Sequence, residues 1–230
     1  TLFERLTYLR NLEDKKKHVL SSIEEQGKLT DELKASILAA QTMVVVEDLY
    51  RPYRPKRRTR ATIAKEKGLE PLAKLILEQK TEEPLENTAK DYVSQEKEVA
   101  NEQEALAGAC DILAEMISDE ADYRMEIRRR TMKKGQIVSS AKDEKASSVY
   151  EKYYDASEPV AQIASHRVLA LNRGEKEKFL TVKIEAPEEE ILRYLEKRII
   201  RKDNNPYTTP VLKATIADAS RRLIAPAIER

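Results

Sequence analysis

Tryptophan is absent from this chain of 230 residues, phenylalanine occurs twice and glycine five times. So few aromatic rings argue against a large β-sandwich core, which aromatic and β-branched side chains fill. The scarcity of glycine goes with the absence of a Gly-rich phosphate loop, and no G-x-S-x-G nucleophile turn occurs either. A single cysteine, Cys110, excludes an internal disulfide; it fits a reducing compartment, and the expected location is the cytoplasm. Two histidines and that cysteine cannot make an ordinary zinc site. No apolar run approaches the ~20 residues that span a bilayer. There is no starting methionine and no signal-peptide pattern. An amphipathic pattern is already under way at Leu2, so a fragment of a longer protein is expected.

What is abundant is charge of both signs. Lys and Arg number 42 against 41 Asp and Glu, a net charge of +1 with 36% of residues charged. No global field draws in a polyanion, so electrostatic recognition falls to local patches. Abundant Glu, Lys, Leu and Ala with little Gly is helix-forming chemistry, and 40% hydrophobic residues suffice for a packed core.

Apolar positions Leu2, Leu6, Leu9, Val19/Leu20 and Ile23 predict a long helix to Gln26, ended by Gly27. Thr30 caps a second, with Asp31 and Glu32 in its first turn and Leu33, Ile37 and Leu38 inward. A third spans Thr42 to Tyr50, although its Met-Val-Val-Val run also fits a strand. Pro52 and Pro55 forbid a helix through the basic stretch that follows. Helix resumes near Thr59 or Thr62, stops at Gly68, and starts again near Pro71 to run to about Gln79. Helix, glycine turn, helix is the outline of a helix-turn-helix, at about 59–79. Residues 78–104 hold nine acids against three lysines and read as a solvated face. Asn101 with Glu104 reads as a capping box, and Ser118 or Asp119 as the cap of a helix running to Gly135.

Beyond Gly135 the texture changes. Residues 136–140 and 179–184 read as short strands. Helices are expected over about 144–154, from a capping Ser165 to Gly174, from Pro187 onward, and over the last seventeen residues with a kink or break at Pro226. Tyr150, Tyr153 and Tyr154 stand at helical spacing and read as packing residues. His166 reads as a local helix-start residue, His18 as exposed, and Cys110 as a small apolar filler.

Paired carboxylates occur everywhere and single out no acid–base set, so no catalytic residue, metal ligand or cofactor is expected. Three basic clusters remain: Arg51–Arg60, Arg124–Lys134 and Lys197–Lys202. In “RPYRPKRRTR” six of ten residues are cationic, the prolines restrict the backbone, and Tyr53 offers a stacking surface. Two readings stand. The strip contacts phosphates, which Lys and Arg do without reading sequence, or it pairs with the protein's own acids in 78–104.

“EDLYRPYRPKRRTRATIAKEKGLEPLA” (Glu47–Ala73) resembles the signature segment of the bacterial Tex transcription accessory proteins. “SHRVLALNRGEKEKFLTVKI” (Ser165–Ile184) and “RRLIAPAIER” (Arg221–Arg230) resemble two further segments of that family, in the right order. Arg51 stands where an apolar residue is usual, Arg54 where Lys is common, and Lys178 where Gly is usual, at an expected tight turn. The resemblance implies a protein associated with RNA or DNA in transcription, related to a eukaryotic elongation factor and histone chaperone. It also implies modules outside this chain. These are a preceding helical segment and, following it, an RNase H-like domain, helix-hairpin-helix modules and a C-terminal OB-fold RNA-binding domain. Nucleic-acid binding in the family is assigned mainly to that last domain.

The expectation is a mainly α, interwoven multi-helix scaffold with a helix-turn-helix-like unit and a small antiparallel β element. Residues 1–135 would form a helical domain, and 136–230 a mixed segment leading to a C-terminal region not included here. The expected function is a non-enzymatic scaffold of a bacterial transcription accessory protein. Nucleic acid would be its partner through the full-length protein, with transcription machinery a further one and no membrane. The expected phosphate contacts are Arg54, Lys56, Arg57, Arg58 and Arg60, with Arg128, Arg129 and Lys133. The rival is a protein–protein docking platform for transcription or translation machinery, with no direct nucleic-acid contact in this fragment.

Overall fold

Thr30, Thr42, Thr59 and Asn101 open helices in the first half of the chain at the places their spacing predicts, and Thr1 caps the first helix as well. The computed structural model describes residues 1–229, and Arg230, the end of the expected last helix, lies outside the described residues. Helix α1 spans Leu2–Glu25. Thr30 caps α2 (Asp31–Ala39), Thr42 caps α3 (Met43–Tyr50) and Thr59 caps α4 (Arg60–Glu66), each hydroxyl accepting the N–H three residues on. The valine run of α3 is therefore helical, its cap outweighing its β-branching. Helix α5 spans Glu70–Glu78 with Pro71 in its first turn. Short α6 (Leu85–Ala89) and a 3-10 turn (Lys90–Tyr92) precede α7 (Glu102–Asp119), capped by Asn101. The reciprocal arm of the expected capping box lands one residue early: Glu104 Oε2 accepts from Ala100 N–H at 3.0 Å.

Helix α8 covers Ala121–Lys134. Neither Ser118 nor Asp119 caps it, because both still belong to α7; Ser118 is buried and Asp119 is bound to cations. Strand β1 (Gln136–Ala141) lies between β2 (Asp155–Pro159) and β3 (Leu180–Glu185), antiparallel to both. The ladders run from Gln136↔Pro159 to Ser140↔Asp155 and from Gln136↔Glu185 to Ala141↔Leu180.

The helix expected over 144–154 does not form. Glu151 Oε1 accepts from Ser147 Oγ (2.7 Å) and Ser148 N–H (3.2 Å), and Ser148 Oγ accepts from Tyr150 N–H. Such local bonds compete with the helix ladder, and only a 3-10 turn remains at Glu151–Tyr153.

Helix α9 spans Ser165–Lys176 with Ala164 at its cap position. Ser165 is the first helical residue, one place too late to cap. Gly174 lies inside α9 rather than at its end, at a place where a Cβ would stand 2.6 Å from Leu180 Cδ1. The helix ends instead through Lys178, in left-handed conformation at φ 67°. Phe179 N–H donates to Gly174 O and Lys178 N–H to Glu175 O, both at 3.0 Å; this is a Schellman turn. Gly27 and Gly68 make the same turn after α1 and α4, at φ 67° and 77°.

Helix α10 spans Glu188–Ile199 after Pro187. Helix α11 (Thr209–Asp218) starts earlier than expected and passes into a π-helical segment, Ala219–Ile224, before α12 (Ala225–Glu229). Pro226 has no N–H to give and its ring crowds the preceding turn; the departure from α geometry begins upstream of it, at Ala219.

The protein is thus mainly α with one small antiparallel sheet. It divides into two compact units. The first comprises Thr1–Met125 and Arg201–Thr215, the second Glu126–Ile200 and Ile216–Arg230. In the first, Leu12, Val19, Ile23, Ile37, Val46 and Tyr50 form one core cluster. Helices α4, α5 and α6 pack on α7, and the close approach needs Gly108, where a Cβ would stand 2.4 Å from Leu69 Cδ1 and 3.3 Å from Ala64 Cβ of α4. In the second, Tyr150, Tyr153, Leu171 and Leu180 form the core between sheet and α9.

Candidate nucleic-acid interface

The basic segment leaves α3 at Tyr50 and reaches the Thr59 cap of α4 as turn and extended chain. Its cations divide into two groups. Arg51 Nε lies 3.1 Å from Asp119 Oδ1, at the end of α7. The Lys56 ammonium closes on the other oxygen of Asp119 and stands 3.6 Å from Glu115. These two side chains pin both ends of the first turn to α7. Burial pushes the Asp119 carboxyl up from its ordinary value, against the opposing pull of Lys56 and Arg51.

The remaining cations face outward. Arg54 reaches Glu47 only at 3.8 Å, and Arg58 pairs with Glu66 at 3.0 Å, both in exposed positions. Such exposed pairs are weak and exchange readily for other anions. Arg57 and Arg60 are exposed, and among the described residues neither makes an ion pair. Among the described residues, the strip's acidic partners are Glu47, Glu66, Glu115 and Asp119. None lies in the acidic stretch 78–104 to which pairing was one of the two expectations.

Helices α4 and α5, joined through Gly68, give the two-helix outline expected at about 59–79. Ala61, Ala64, Leu72, Ala73 and Ile76 are buried. The outward residues of α5 include Glu70, Lys74 and Glu78.

The second cluster is not one surface. Arg124 is buried against Asp48 at 3.0 Å. Arg129 donates twice to Glu126 (2.8 and 2.7 Å), and Arg130 bridges Glu126 and Glu190. These arginines, Arg129 first, hold the Glu126 carboxyl down at about 2. Arg128 is half-buried, and Lys133 is exposed. In the third cluster Arg201 stands 3.7 Å from Asp203. Tyr194 has Arg130 at 4.9 Å and Arg198 at 5.7 Å from its ring centre, so the ring is flanked by guanidinium groups.

The distribution of cations over a helical support leaves open what kind of protein this is; comparison with known families decides it. Residues 79–227 match the family described as Tex central region-like. The chain belongs to the Tex family. YdcI of Bacillus subtilis is 50% identical over 233 residues, an alignment covering all of this chain and 32% of that protein. The transcriptional accessory protein Tex of Neisseria gonorrhoeae is 41% identical over 183 residues, covering 79% of this chain and 24% of that protein. The human S1 RNA-binding domain-containing protein 1 is 27% identical over 242 residues, again covering 24% of its length. This Tex-family chain therefore spans 24–32% of the length of these relatives. Among its described residues no group of three or more His, Cys, Asp or Glu could hold a metal ion. Among the described residues, no helix is long and apolar enough to cross a membrane.

Proposed function

We propose that this chain is a non-enzymatic helical scaffold within a transcription accessory protein, and that Arg54, Arg57, Arg58 and Arg60 form an auxiliary phosphate-contacting strip. One observation carries the strip. Within a single segment, Arg51 and Lys56 are tied down to Asp119, while Arg57 and Arg60 are exposed and, among the described residues, have no carboxylate of their own. A backbone segment tied down at Arg51 and Lys56 loses less conformational freedom when its outward cations bind. Lys56 holds the strip in shape rather than touching the ligand.

The two-helix unit behind the strip acts as support. A helix reading a groove meets phosphates on both sides, and Glu70 and Glu78 on the outer side of α5 would be repelled there. Arg129 is spent on Glu126, so Arg128, Arg129 and Lys133 are left out of the proposed surface. RNA or DNA is the partner of the whole protein in this reading. The names of the gonococcal and human relatives, one transcriptional and one RNA-binding, support it.

The test is binding of the purified chain to labelled duplex DNA and single-stranded RNA across a salt series. Arg57→Ala with Arg60→Ala should lower affinity on every sequence alike. It should also flatten the slope of log affinity against log salt by about 0.9 per lost contact on duplex and about 0.7 on single strands. Unchanged affinity and slope in the double variant would refute the strip.

A further inference from the structure

We infer that the second unit carries a docking groove for an acidic, amphipathic peptide segment. Helix α9 places His166, Leu169, Ala170 and Arg173 at i, i+3, i+4 and i+7, the spacing of one helix face. The segment Val149–Tyr153 forms the other wall, and together they line an open groove of about 650 Å³. Two aliphatic side chains stand in water there: Val149 is 83% exposed and Leu169 68%. Single exposed aliphatic residues are ordinary. Two in one concavity with cationic neighbours are the pattern of an interaction site.

The charges on the groove select the occupant. Lys152 is exposed, lies 4.9 Å from the Tyr153 ring centre, and makes no ion pair among the described residues. Arg173 has Glu177 at 3.7 Å, and burial first, then the nearby Glu177, pushes the Tyr150 hydroxyl up from its ordinary value. Glu151, in the same wall segment, is taken up by Ser147 and Ser148, and Lys152, with Arg173 and the His166 imidazole, lines the groove. A segment with apolar residues toward Val149 and Leu169 and carboxylates toward Lys152 and Arg173 satisfies both features.

A nucleic acid satisfies them less well. Base stacking needs open aromatic faces. Tyr150 and Tyr153 are only 5% and 7% exposed; Tyr150 packs against Phe179 at 5.9 Å and Tyr153 is covered by Lys152. The groove uses none of the residues of the arginine strip and takes a different class of partner, so the two proposals stand or fall separately.

The experiment uses the whole chain and fluorescence anisotropy. The probe is a synthetic fourteen-residue peptide with leucines at helical i, i+3, i+4, i+7 spacing and glutamates between them. A version with lysine for glutamate and a labelled oligouridine are the comparisons. Micromolar binding of the acidic peptide is expected, with a loss of about tenfold or more for the lysine version, for Leu169→Asp and for Lys152→Glu. Both substituted residues are exposed, and circular dichroism checks that each variant keeps its helices. Arg57→Ala with Arg60→Ala should leave peptide binding unchanged. No binding of the acidic peptide below about 1 mM, or equal binding by wild type and Leu169→Asp, would overturn the proposal. So would oligouridine binding that Leu169→Asp abolishes and the peptide fails to displace, which would give the groove to nucleic acid.

Discussion

The Asp48 carboxylate accepts from Arg124 Nε at 3.0 Å, seventy-six residues away in sequence, and each side chain is only 4% exposed. Arg124 also donates to the Ser118 carbonyl at 3.2 Å. The pair joins α3 to α8 where neither charge can find bulk water. Removing one partner takes a buried opposite charge away from the other. Asp48→Ala should therefore destabilise by about 3–5 kcal/mol, while Asp48→Leu with Arg124→Met should lose much less. Urea unfolding of the three proteins checks this; equal losses in the single and double variants would count against that cause.

Lys56 and Arg57 are neighbours with opposite expected phenotypes. Lys56→Ala should lower the urea midpoint, because it leaves the partly buried Asp119 with Arg51 alone. Arg57→Ala should leave stability within about 0.5 kcal/mol. Paired denaturation curves separate the two roles without reference to any ligand.

Lys178 makes at φ 67° the turn that glycine makes after α1 and α4. A lysine in that conformation carries a backbone cost of about 1–2 kcal/mol, of which part is returned by its lower freedom when unfolded. Lys178→Gly should raise stability by about 0.5–1 kcal/mol. Gly174→Ala, four residues earlier, should lower it by about 1–3 kcal/mol through its contact with Leu180. Thermal melts of both variants check the pair of opposite signs.

Acid should weaken the second unit through Glu126 and Glu190. Arg129 and Arg130 hold Glu126 at about 2, against an ordinary 4.5, and Lys134 and Arg130 lower Glu190 as well. A depressed carboxyl stabilises the fold above its unfolded value and loses that contribution as pH falls toward the folded one. The melting temperature should therefore decline between about pH 5 and pH 2, and less steeply in Glu126→Gln. A parallel decline in that variant would place the acid sensitivity elsewhere.

Much of this fold is written in local signals. Thr30, Thr42, Thr59 and Asn101 mark helix starts, and Gly27 and Gly68 mark stops, because caps and left-handed turns depend on only a few adjacent residues. What escaped the sequence depends on distant partners. Strand β2, Asp-Ala-Ser-Glu-Pro, has no β-branched residue and is a strand because β1 offers it a ladder. Arg124 reads in sequence as one more surface cation, and only the fold brings Asp48 to it. The strip at 54–60 was visible as charge density, but the assignment of Lys56 to structure came from α7. The apolar pair Val149 and Leu169 lies in a region whose first half was misread as helix, so no sequence pattern joined them.

The interleaving of the two units orders events during synthesis. Gln79 Oε1 accepts from Arg201 N–H at 2.9 Å, and the Thr81 carbonyl accepts from Asn205 Nδ2 at 2.7 Å. Both bonds belong to the first unit, yet they span 122 and 124 residues. A ribosome that has completed residue 125 has not made the part that closes them. Contacts this far apart are slow to form, and domains usually fold in the order they emerge. Here residues 126–200 emerge before the first unit can be finished, so a chain stopped short of Thr215 leaves its N-terminal unit incomplete.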